Sequence, residues 1–516
     1  MYLSLSAIES GFVGTDELEV INKLSENTRD ELHRLFRSNK TEDFSKAYMI
    51  LLSEYRTASG EKALVMHGII LKIRNMLYSA INSAFYSYLT SFNSTSKTKN
   101  DLLWKAVTSR QPIHWNIDYV NIIGNGGFDV IIGNPPYIED QNCDESDLAV
   151  IKKTRPLKDK STPLIYKSMD CGNTHAYFIE RSLNLLNEDG RFGFIVPVSL
   201  VSTERMSSVR SVIHHASSGV AYYNFDDRPG KIFSGIEHCR STIVITQKGN
   251  GVEEVITSSY HRWYSRDRPK LFDDLKAIKY RIGAIDEIIP KIGTITESSI
   301  LAKMKTQSGG RVLGDFLNSG ETKIWYHNSP QYWIHSHYDE YVPKAEYFKD
   351  YIKDDKTGKI TLGRPYKIKV TDQYKPLEFS KSNAAIAAAI LNSSLFYWWF
   401  VAKSDGRHLL SEHILSLPLN IGIIDSKLGE KLEEKANGLM RDYDLNSHIN
   451  INIRKGGYVI KIKEIIPKKS YSKIQELDKL VAELYGLTDE EAEFIKNFDI
   501  NFRLGGDGTR EDEING

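Results

Sequence analysis

The sequence has few cysteines and no excess of charge of either sign. Its three cysteines, Cys143, Cys171 and Cys239, form no Cys-x-x-Cys pair and have no histidine at a metal-binding spacing. A disulfide framework and a metal site are therefore not expected, and this cysteine usage is typical of a reducing cytosol. Lys plus Arg and Asp plus Glu both number 67, so the net charge identifies no partner.

Two further absences concern the membrane. No apolar run approaches the roughly 20 residues that a transmembrane helix needs, and the first 20 residues lack the basic start of a signal peptide. The sequence therefore predicts a cytoplasmic protein that does not bind a membrane. Its 516 residues, 41% hydrophobic and 26% charged, have an ordinary globular composition and are too many for one compact core.

The spacing of apolar residues changes along the chain. In residues 1–110 it is helical. A short apolar run between glycines follows at 128–132, and this is typical of a buried parallel strand. Helices are then predicted at 176–186 and 203–215, and strands at 191–197, 220–225 and 241–246. This order predicts an open α/β sheet with crossover helices.

The strongest chemical signal directly follows the strand at 128–132: Asn134, Pro135, Pro136 and Tyr137. Residues at the carboxyl end of a parallel strand face the ligand crevice. The Asn134 side-chain oxygen and the Pro135 carbonyl can accept the two hydrogens of an exocyclic amine, which frees the lone pair of its nitrogen. Tyr137 offers a flat face for a base that has been extruded from the duplex.

The alternative interpretation is a proline-rich turn after a buried strand. Two prolines by themselves would favour that interpretation, because proline is common in turns. The full tetrapeptide behind Gly-Gly-Phe-Asp is much rarer by chance, and it favours the base pocket.

With the lead-in at 111–115, residues 126–138 resemble the adenine-N6 methyltransferase domain of type IIG restriction-modification enzymes of the Eco57I-like family. Residues 176–197 are similar to the helix, turn and strand that follow the catalytic loop in that family. Residues 231–234 are similar to the segment with the second base-stacking aromatic, which implies that Phe233 faces Tyr137 across the base.

The resemblance extends over about residues 110–490 and implies a fold class and a division into domains. The fold class is α/β: a partial Rossmann-like methyltransferase sheet, a helical N-terminal segment and a mixed α+β target-recognition domain. The implied parts are a helical segment at 1–110, a catalytic portion at 111–260, a target-recognition domain at 261–470, and a helical tail with a disordered end at 471–516.

The resemblance also implies S-adenosylmethionine as the methyl donor and double-stranded DNA as the substrate. The family's glycine-rich loop for this cofactor, and the acidic residue for its ribose, are not found, so no cofactor-binding residue is predicted. The sequence therefore resembles the C-terminal portion of a full enzyme. We expect a separately encoded N-terminal methyltransferase part, or a restriction subunit, as a partner. No nuclease motif is found.

Basic residues cluster near the end of the predicted recognition domain. Residues 454–473 contain seven Lys or Arg and one Glu. The predicted phosphate contacts are Lys455, Lys461, Lys463, Lys468 and Lys469. Arg407 lies in the part that resembles the recognition domain and is a further candidate. The alternative for all six is an ordinary solvated surface.

Two classes of function remain open. One is an adenine-N6 methyltransferase, or half of one. The other is a non-catalytic DNA-recognition subunit, or a truncated remnant, that kept the base pocket and lost cofactor binding. A cytosine-N4 enzyme is a variant of the first class. Its signature more often begins with Ser, so Asn134 favours adenine.

Overall fold

A computed structural model describes most of the chain, in two compact units. The described residues are 15–37, 41–91, 97–109, 113–148, 167–233, 239–285, 287–354, 356–424 and 426–505. The first unit comprises Met1–Phe194, Ser211–Gly219 and Ile245–Gly251, and the second comprises Ile195–Arg210, Val220–Val244 and Val252–Gly516. The predictions for residues 1–14, 111–112, 234 and 506–516 lie outside the described residues.

The first unit begins with helices, as the apolar spacing predicts. They are α1 (Thr15–Asn22), α2 (Glu26–Arg37), α3 (Thr41–Tyr55), α4 (Gly60–Ser91), α5 (Lys97–Ser109), α6 (Trp115–Asp118) and α7 (Val120–Gly124). The core of this helical part is a cluster in which Ile69 and Ile73 of α4 pack with Leu32 of α2 and Leu51 of α3. Burial of this apolar face stabilises the helices against solvent.

Helix α4 is more apolar than the sequence analysis anticipated. By length and mean hydropathy it qualifies as a membrane-spanning helix, with 1.2 over its most apolar window. Only one side of it is buried, against the other helices of this unit. The core helix of a globular protein passes the same test, so this feature is weak evidence for a membrane.

The sheet of the first unit begins with two parallel strands. They are β1 (Phe128–Gly133) and β2 (Leu186–Pro197), and the helix between them is α8 (Thr174–Leu185). Residues 187–190, between the predicted helix at 176–186 and the predicted strand at 191–197, form a bulge within β2, because the register jumps from Phe128↔Leu186 to Val130↔Arg191. Asp189 at this bulge has a φ of 64°.

The prediction that the apolar strand is buried is wrong for one of its faces. Val130 is 58% exposed and Ile132 79% exposed. Among the described strands, β1 is at the end of the sheet order and pairs with β2 alone. A parallel strand with apolar side chains on both faces is normally covered on both. The described residues leave Val130 and Ile132 uncovered.

The next elements are helices and strands that continue the α/β pattern. They are α9 (Ser199–Ser202), α10 (Ser207–His215), β3 (Ser217–Phe225), β4 (Ser241–Lys248), β5 (Glu254–His261) and β6 (Ala277–Arg281). In the second unit β3 pairs with β5 in parallel, and β6 pairs with β5 antiparallel. The predicted α/β class is confirmed, and the sheet is mixed.

The second unit continues with helix α11 (Ile295–Ser308), two small antiparallel sheets and a hairpin. One sheet has the order β13-β7-β8, from Tyr374–Phe379, Leu317–His327 and Ser336–Tyr338. The other has the order β12-β9-β15-β14, from Lys367–Val370, Lys344–Phe348, Tyr458–Glu464 and His448–Arg454. The hairpin is β10 (Tyr351–Lys353) and β11 (Ile360–Leu362).

Helices fill the rest of the second unit. They are α12 (Lys381–Leu391), α13 (Ser394–Lys403), α14 (Ser411–Leu415), α15 (Ser426–Leu445), α16 (Tyr471–Tyr485), α17 (Asp489–Asn497) and α18 (Ile500–Leu504). The apolar run at 384–400 would favour one continuous helix, but this interpretation is wrong, because α12 and α13 meet at a bend of 73°. Ser393 causes this break by capping α13: its side chain accepts a hydrogen bond from the Phe396 amide.

Candidate functional site

The predicted tetrapeptide lies at the carboxyl end of β1, in the first unit. Two glycines set the path of the chain into this strand, Gly126 with a φ of 103° and Gly127 with a φ of 120°. A Cβ atom on Gly127 would lie 2.4 Å from the Leu185 carbonyl oxygen. Only glycine fits this close approach, which explains the Gly-Gly before the strand.

The side chains of the tetrapeptide differ in their environment. Asn134 and Pro136 are exposed, Tyr137 is half-buried and Pro135 is buried. The Tyr137 hydroxyl donates a hydrogen bond to the Asn134 side-chain oxygen. An amide oxygen has two lone pairs, so Asn134 can accept a second hydrogen bond. Within the described residues the Pro135 carbonyl accepts none, so both acceptors of the proposed pocket have capacity left.

Thr174, the first residue of α8, holds the end of the tetrapeptide. Its hydroxyl donates to the Pro136 carbonyl at 2.6 Å and accepts from the Ile138 amide at 3.0 Å. The Thr174 amide in turn donates to the Ile138 carbonyl at 2.9 Å. The loop is therefore anchored to the N-terminus of a helix, and this fixes the backbone on which Tyr137 stands.

A second set of contacts ties the following loop to the same helix. Asn173 caps α8 and donates to the Glu139 carboxylate at 3.1 Å. The Tyr177 hydroxyl donates to both oxygens of Asp140, at 2.7 and 2.8 Å. The His175 ring meets the Tyr137 ring edge-on, with 6.3 Å between centroids. These contacts support Tyr137 from the side of the helix.

An open cleft of about 830 Å³ lies next to Asn134. Its lining is mainly apolar and includes Trp115, Phe128, Ile132 and Phe178. Arg181 is the one charged side chain among the described residues that line it. The cleft extends along β1 up to Asn134 and Pro135, so a ligand in it would reach the tetrapeptide.

The lead-in to β1 is fixed by an ion pair between helices. The Arg74 guanidinium on α4 donates to Asp118 at 2.8 and 3.0 Å. Burial alone would raise the pKa of Asp118, but hydrogen bonds from Tyr78 and Arg74 hold it below its usual value. His114 is engaged as well, at 2.9 Å from the Asn82 side chain, and burial lowers its pKa. The helical part thus supports Trp115, one wall of the cleft.

Phe233, the predicted second wall of the base pocket, belongs to the second unit. Its side chain is half-buried. The position of Phe233 opposite Tyr137 stays a prediction from the resemblance.

Three of the five predicted phosphate-binding lysines make contacts within the second unit. Lys461 pairs with Glu346 at 3.2 Å, and Lys463 pairs with Asp444. The Lys468 ammonium donates to the Leu504 carbonyl at 3.1 Å. For the side chains of Lys455 and Lys469 we find no partner among the described residues.

Arg407, the sixth predicted phosphate contact, follows α13. It is exposed, and its amide donates to the Asp405 carboxylate at 2.8 Å. These contacts do not test the six predicted phosphate contacts. The ion pairs of Lys461 and Lys463 lie at the surface and are weak enough to exchange for a phosphate.

Sequence reasoning missed two contributors to the site, Thr174 and Arg181. Both lie on α8, roughly 40 residues beyond the tetrapeptide. A threonine at the start of a helix and an arginine within it have no local pattern that marks them. Only the fold brings them to the strand end.

Comparison with known proteins gives a family and curated relatives. Residues 36–233 match the family described as Eco57I restriction-modification methylase. A putative type II restriction enzyme and methyltransferase of Methanocaldococcus jannaschii is 28% identical over 224 residues, 42% of this chain and 17% of that protein. A type II methyltransferase of Thermus thermophilus is 30% identical over 109 residues, 21% of this chain and 25% of that protein.

The matches span a quarter or less of the length of these two curated relatives. Among solved structures, the type IIL restriction-modification enzyme MmeI in complex with DNA aligns with a TM-score of 0.39 and 12% identity, over 99% of this chain and 78% of that one. The family match includes both the helical part and the tetrapeptide. Residues 36–233 are therefore similar to Eco57I restriction-modification methylases.

Proposed function

We propose that this chain is a site-specific DNA methyltransferase, or the larger part of one, in a restriction-modification or phage-defence system. It transfers a methyl group from S-adenosylmethionine to N6 of an adenine flipped out of the duplex. The arrangement at the end of β1 carries this proposal: Asn134 and Pro135 keep acceptor capacity beside Tyr137. The family match of residues 36–233 supports it.

The chemistry follows from the hydrogen bonds that an adenine amino group would make. Its two N–H groups donate to the Asn134 side-chain oxygen and the Pro135 carbonyl, which draws the nitrogen lone pair out of conjugation with the ring. Tyr137 stacks on the base, and such a contact is worth roughly 1–3 kcal/mol. This offsets part of the few kcal/mol that base extrusion costs.

The described residues fit only part of a cofactor site. The cleft beside Asn134 has apolar walls for an adenine ring, but its described lining contains no carboxylate that could hold a ribose. We propose that a separately encoded N-terminal methyltransferase part completes the site. The uncovered face of β1, with Val130 and Ile132, supports this, because a neighbouring strand and its helix would cover it.

We propose that residues 261–470 recognise the DNA sequence and that Phe233 is the second stacking wall. Lys455, Lys461, Lys463, Lys468 and Lys469, with Arg407, are the proposed phosphate contacts. Release of Lys461 from Glu346 and of Lys463 from Asp444 would free two cations for the backbone. The proposed location is the cytoplasm.

The test of the proposed function is Asn134→Ala with Asn142→Ala as the matched control. Asn142 is exposed in the same loop and has no side-chain hydrogen bond among the described residues. Asn134→Ala should lower methyl transfer to unmethylated genomic DNA at least about a hundredfold. The variant loses the side-chain oxygen that accepts one N–H of the adenine amino group. DNA binding, measured by filter retention, should stay as in the wild type.

Asn142→Ala should remain active. Unchanged methylation in Asn134→Ala would remove the mechanism. Tight binding of S-adenosylmethionine by the isolated chain, measured by calorimetry, would contradict the need for a separate cofactor-binding part.

The second candidate is a non-catalytic DNA-recognition subunit or a truncated remnant. The cleft without a carboxylate favours it over a complete enzyme. It predicts that no partner restores methyl transfer, while DNA binding persists. A methyl-transfer assay with and without the product of an adjacent gene distinguishes the two candidates.

A further inference from the structure

The loop from Asp226 to Phe233 joins the end of β3 to the proposed stacking wall. It lies wholly in the second unit and is anchored at its start by buried charge. The Asp226 carboxylate accepts from Arg262 at 2.6 Å and from Arg240 at 3.0 Å. Burial alone would raise the pKa of Asp226, but the two guanidinium groups lower it to about 2. Asp226 is therefore ionised and fixed.

The middle of the loop is held by a close backbone approach. The Gly230 amide donates to the Trp263 carbonyl at 2.8 Å. A Cβ atom on Gly230 would lie 2.8 Å from the Trp263 ring, so no larger residue fits without a shift. Trp263 is itself buried with Phe225 in a small apolar cluster.

The last part of the loop, directly before Phe233, is held by one arginine. The Arg268 guanidinium donates to the Lys231 carbonyl at 2.9 Å and to the Ile232 carbonyl at 2.8 Å. Ile232 packs against the apolar cluster around Trp263. A planar fork that bonds two successive carbonyls fixes the backbone direction in a way that a single donor cannot.

We propose that Arg268 is a positioning residue: it holds the Lys231 and Ile232 carbonyls so that Phe233 keeps the place that base stacking requires. This role rests on the proposed function, in which Phe233 is the second wall. A stacking wall contributes to the rate only if it is already in place when the base arrives. Arg268 acts through the backbone and does not touch the base.

The test compares Arg268→Ala and Arg268→Lys with the matched control Arg266→Ala. Both arginines lie in the 3-10 turn Ser265–Lys270, but Arg266 lies over the Tyr264 ring and makes no contact with the loop among the described residues. Two readouts are needed. One is hydrogen exchange of the amides at 230–233 in the full chain. The other is kcat and KM for methyl transfer to unmethylated genomic DNA.

Arg268→Ala should speed exchange at 230–233 and lower kcat about tenfold, with KM for DNA within about twofold of the wild type. Arg268→Lys should restore only part of kcat, because one ammonium group cannot hold both carbonyls in the same geometry. Arg266→Ala should match the wild type in both readouts.

The outcomes separate this inference from the proposed function. Equal kcat values for Arg268→Ala and Arg266→Ala overturn the role of Arg268 alone. An effect of Arg268→Ala confined to KM for DNA also overturns it, since that marks a phosphate contact. Normal kcat in Phe233→Ala contradicts the second wall, and with it the role of Arg268. A protein that transfers no methyl group, with or without the N-terminal part, contradicts the proposed function itself.

Discussion

At the residue scale, the tetrapeptide depends on a side chain that sequence reasoning did not single out. Thr174 holds the Pro136 carbonyl and the Ile138 amide with one hydroxyl. Because Pro136 cannot donate a hydrogen bond, its carbonyl is the only backbone group through which it can be held. The rigidity that two prolines give to the loop is therefore completed by a partner in the next helix.

We predict that Thr174→Val lowers the free energy of unfolding by about 1 kcal/mol, because both hydrogen bonds to the loop are lost while the side-chain shape is kept. The rate of methyl transfer should fall by more than the small loss of folded protein can explain, since the Tyr137 backbone is no longer fixed. Urea denaturation and a methyl-transfer assay measure the two effects. Thr108→Val is the control, because that hydroxyl bonds only within its own helix, to the Trp104 carbonyl. Full activity in Thr174→Val would argue against the anchoring role.

At the element scale, the sequence predicted the existence of the central strands and helices better than their surroundings. Apolar runs between glycines located β1 and β2, because strand formation depends on local composition and spacing. The exposure of Ile132 and the bulge at Asp189 were not predictable, since both depend on what pairs with a strand and what covers it.

The break between α12 and α13 shows the same limit. Apolar residues continue through residues 384–400, so the periodicity favours a single helix. Asn392 is 2% exposed, and its amide group donates to the Ser336 carbonyl and to the Ala388 carbonyl, at 3.1 and 2.8 Å. Its side-chain oxygen accepts from the Ser336 amide at 3.1 Å and from the Tyr443 hydroxyl at 3.2 Å. Ser336 and Tyr443 are distant from Asn392 in sequence.

We predict that Asn392→Ala lowers the free energy of unfolding of the second unit by about 3 kcal/mol, because several buried donors and acceptors lose their partner at once. The half-buried Asn437 on α15 offers a control, Asn437→Ala, with an expected change below about 0.5 kcal/mol. Guanidinium denaturation followed by circular dichroism measures both variants. Equal stabilities of the two variants would show that the buried hydrogen bonds of Asn392 do not stabilise the second unit.

At the scale of the whole molecule, a buried histidine cluster makes stability depend on pH. His335 and His337 are fully buried, and their ring nitrogens lie 2.8 Å apart. Burial is the largest cause that lowers the pKa of His337; with the smaller effects of His327 and Lys463, and against Asp444, it brings this pKa to about 3. Burial, with His337 and His327, lowers the pKa of His335 well below its ordinary value.

Stability should fall as the pH is lowered from about 6.5, where histidines of the unfolded chain ionise, towards about 3, the pKa of folded His337. In this window the unfolded state binds more protons than the folded state. The loss is at most about 1.4 kcal/mol per pH unit for each histidine. Urea midpoints between pH 7 and 5 measure it, and His337→Gln should show a shallower slope. A slope that does not change in His337→Gln would contradict this origin.

The sequence by itself determined the α/β class and the helical first part, and it predicts the chemistry of Asn134, Pro135 and Tyr137. Each of these depends on local spacing or on the functional groups of adjacent residues, which a sequence states directly. Tertiary structure alone decided the hold of Thr174 on the tetrapeptide, the uncovered face of β1 and the contact of Arg268 with the loop before Phe233. These depend on which distant residues meet in the fold, and local spacing carries no record of that.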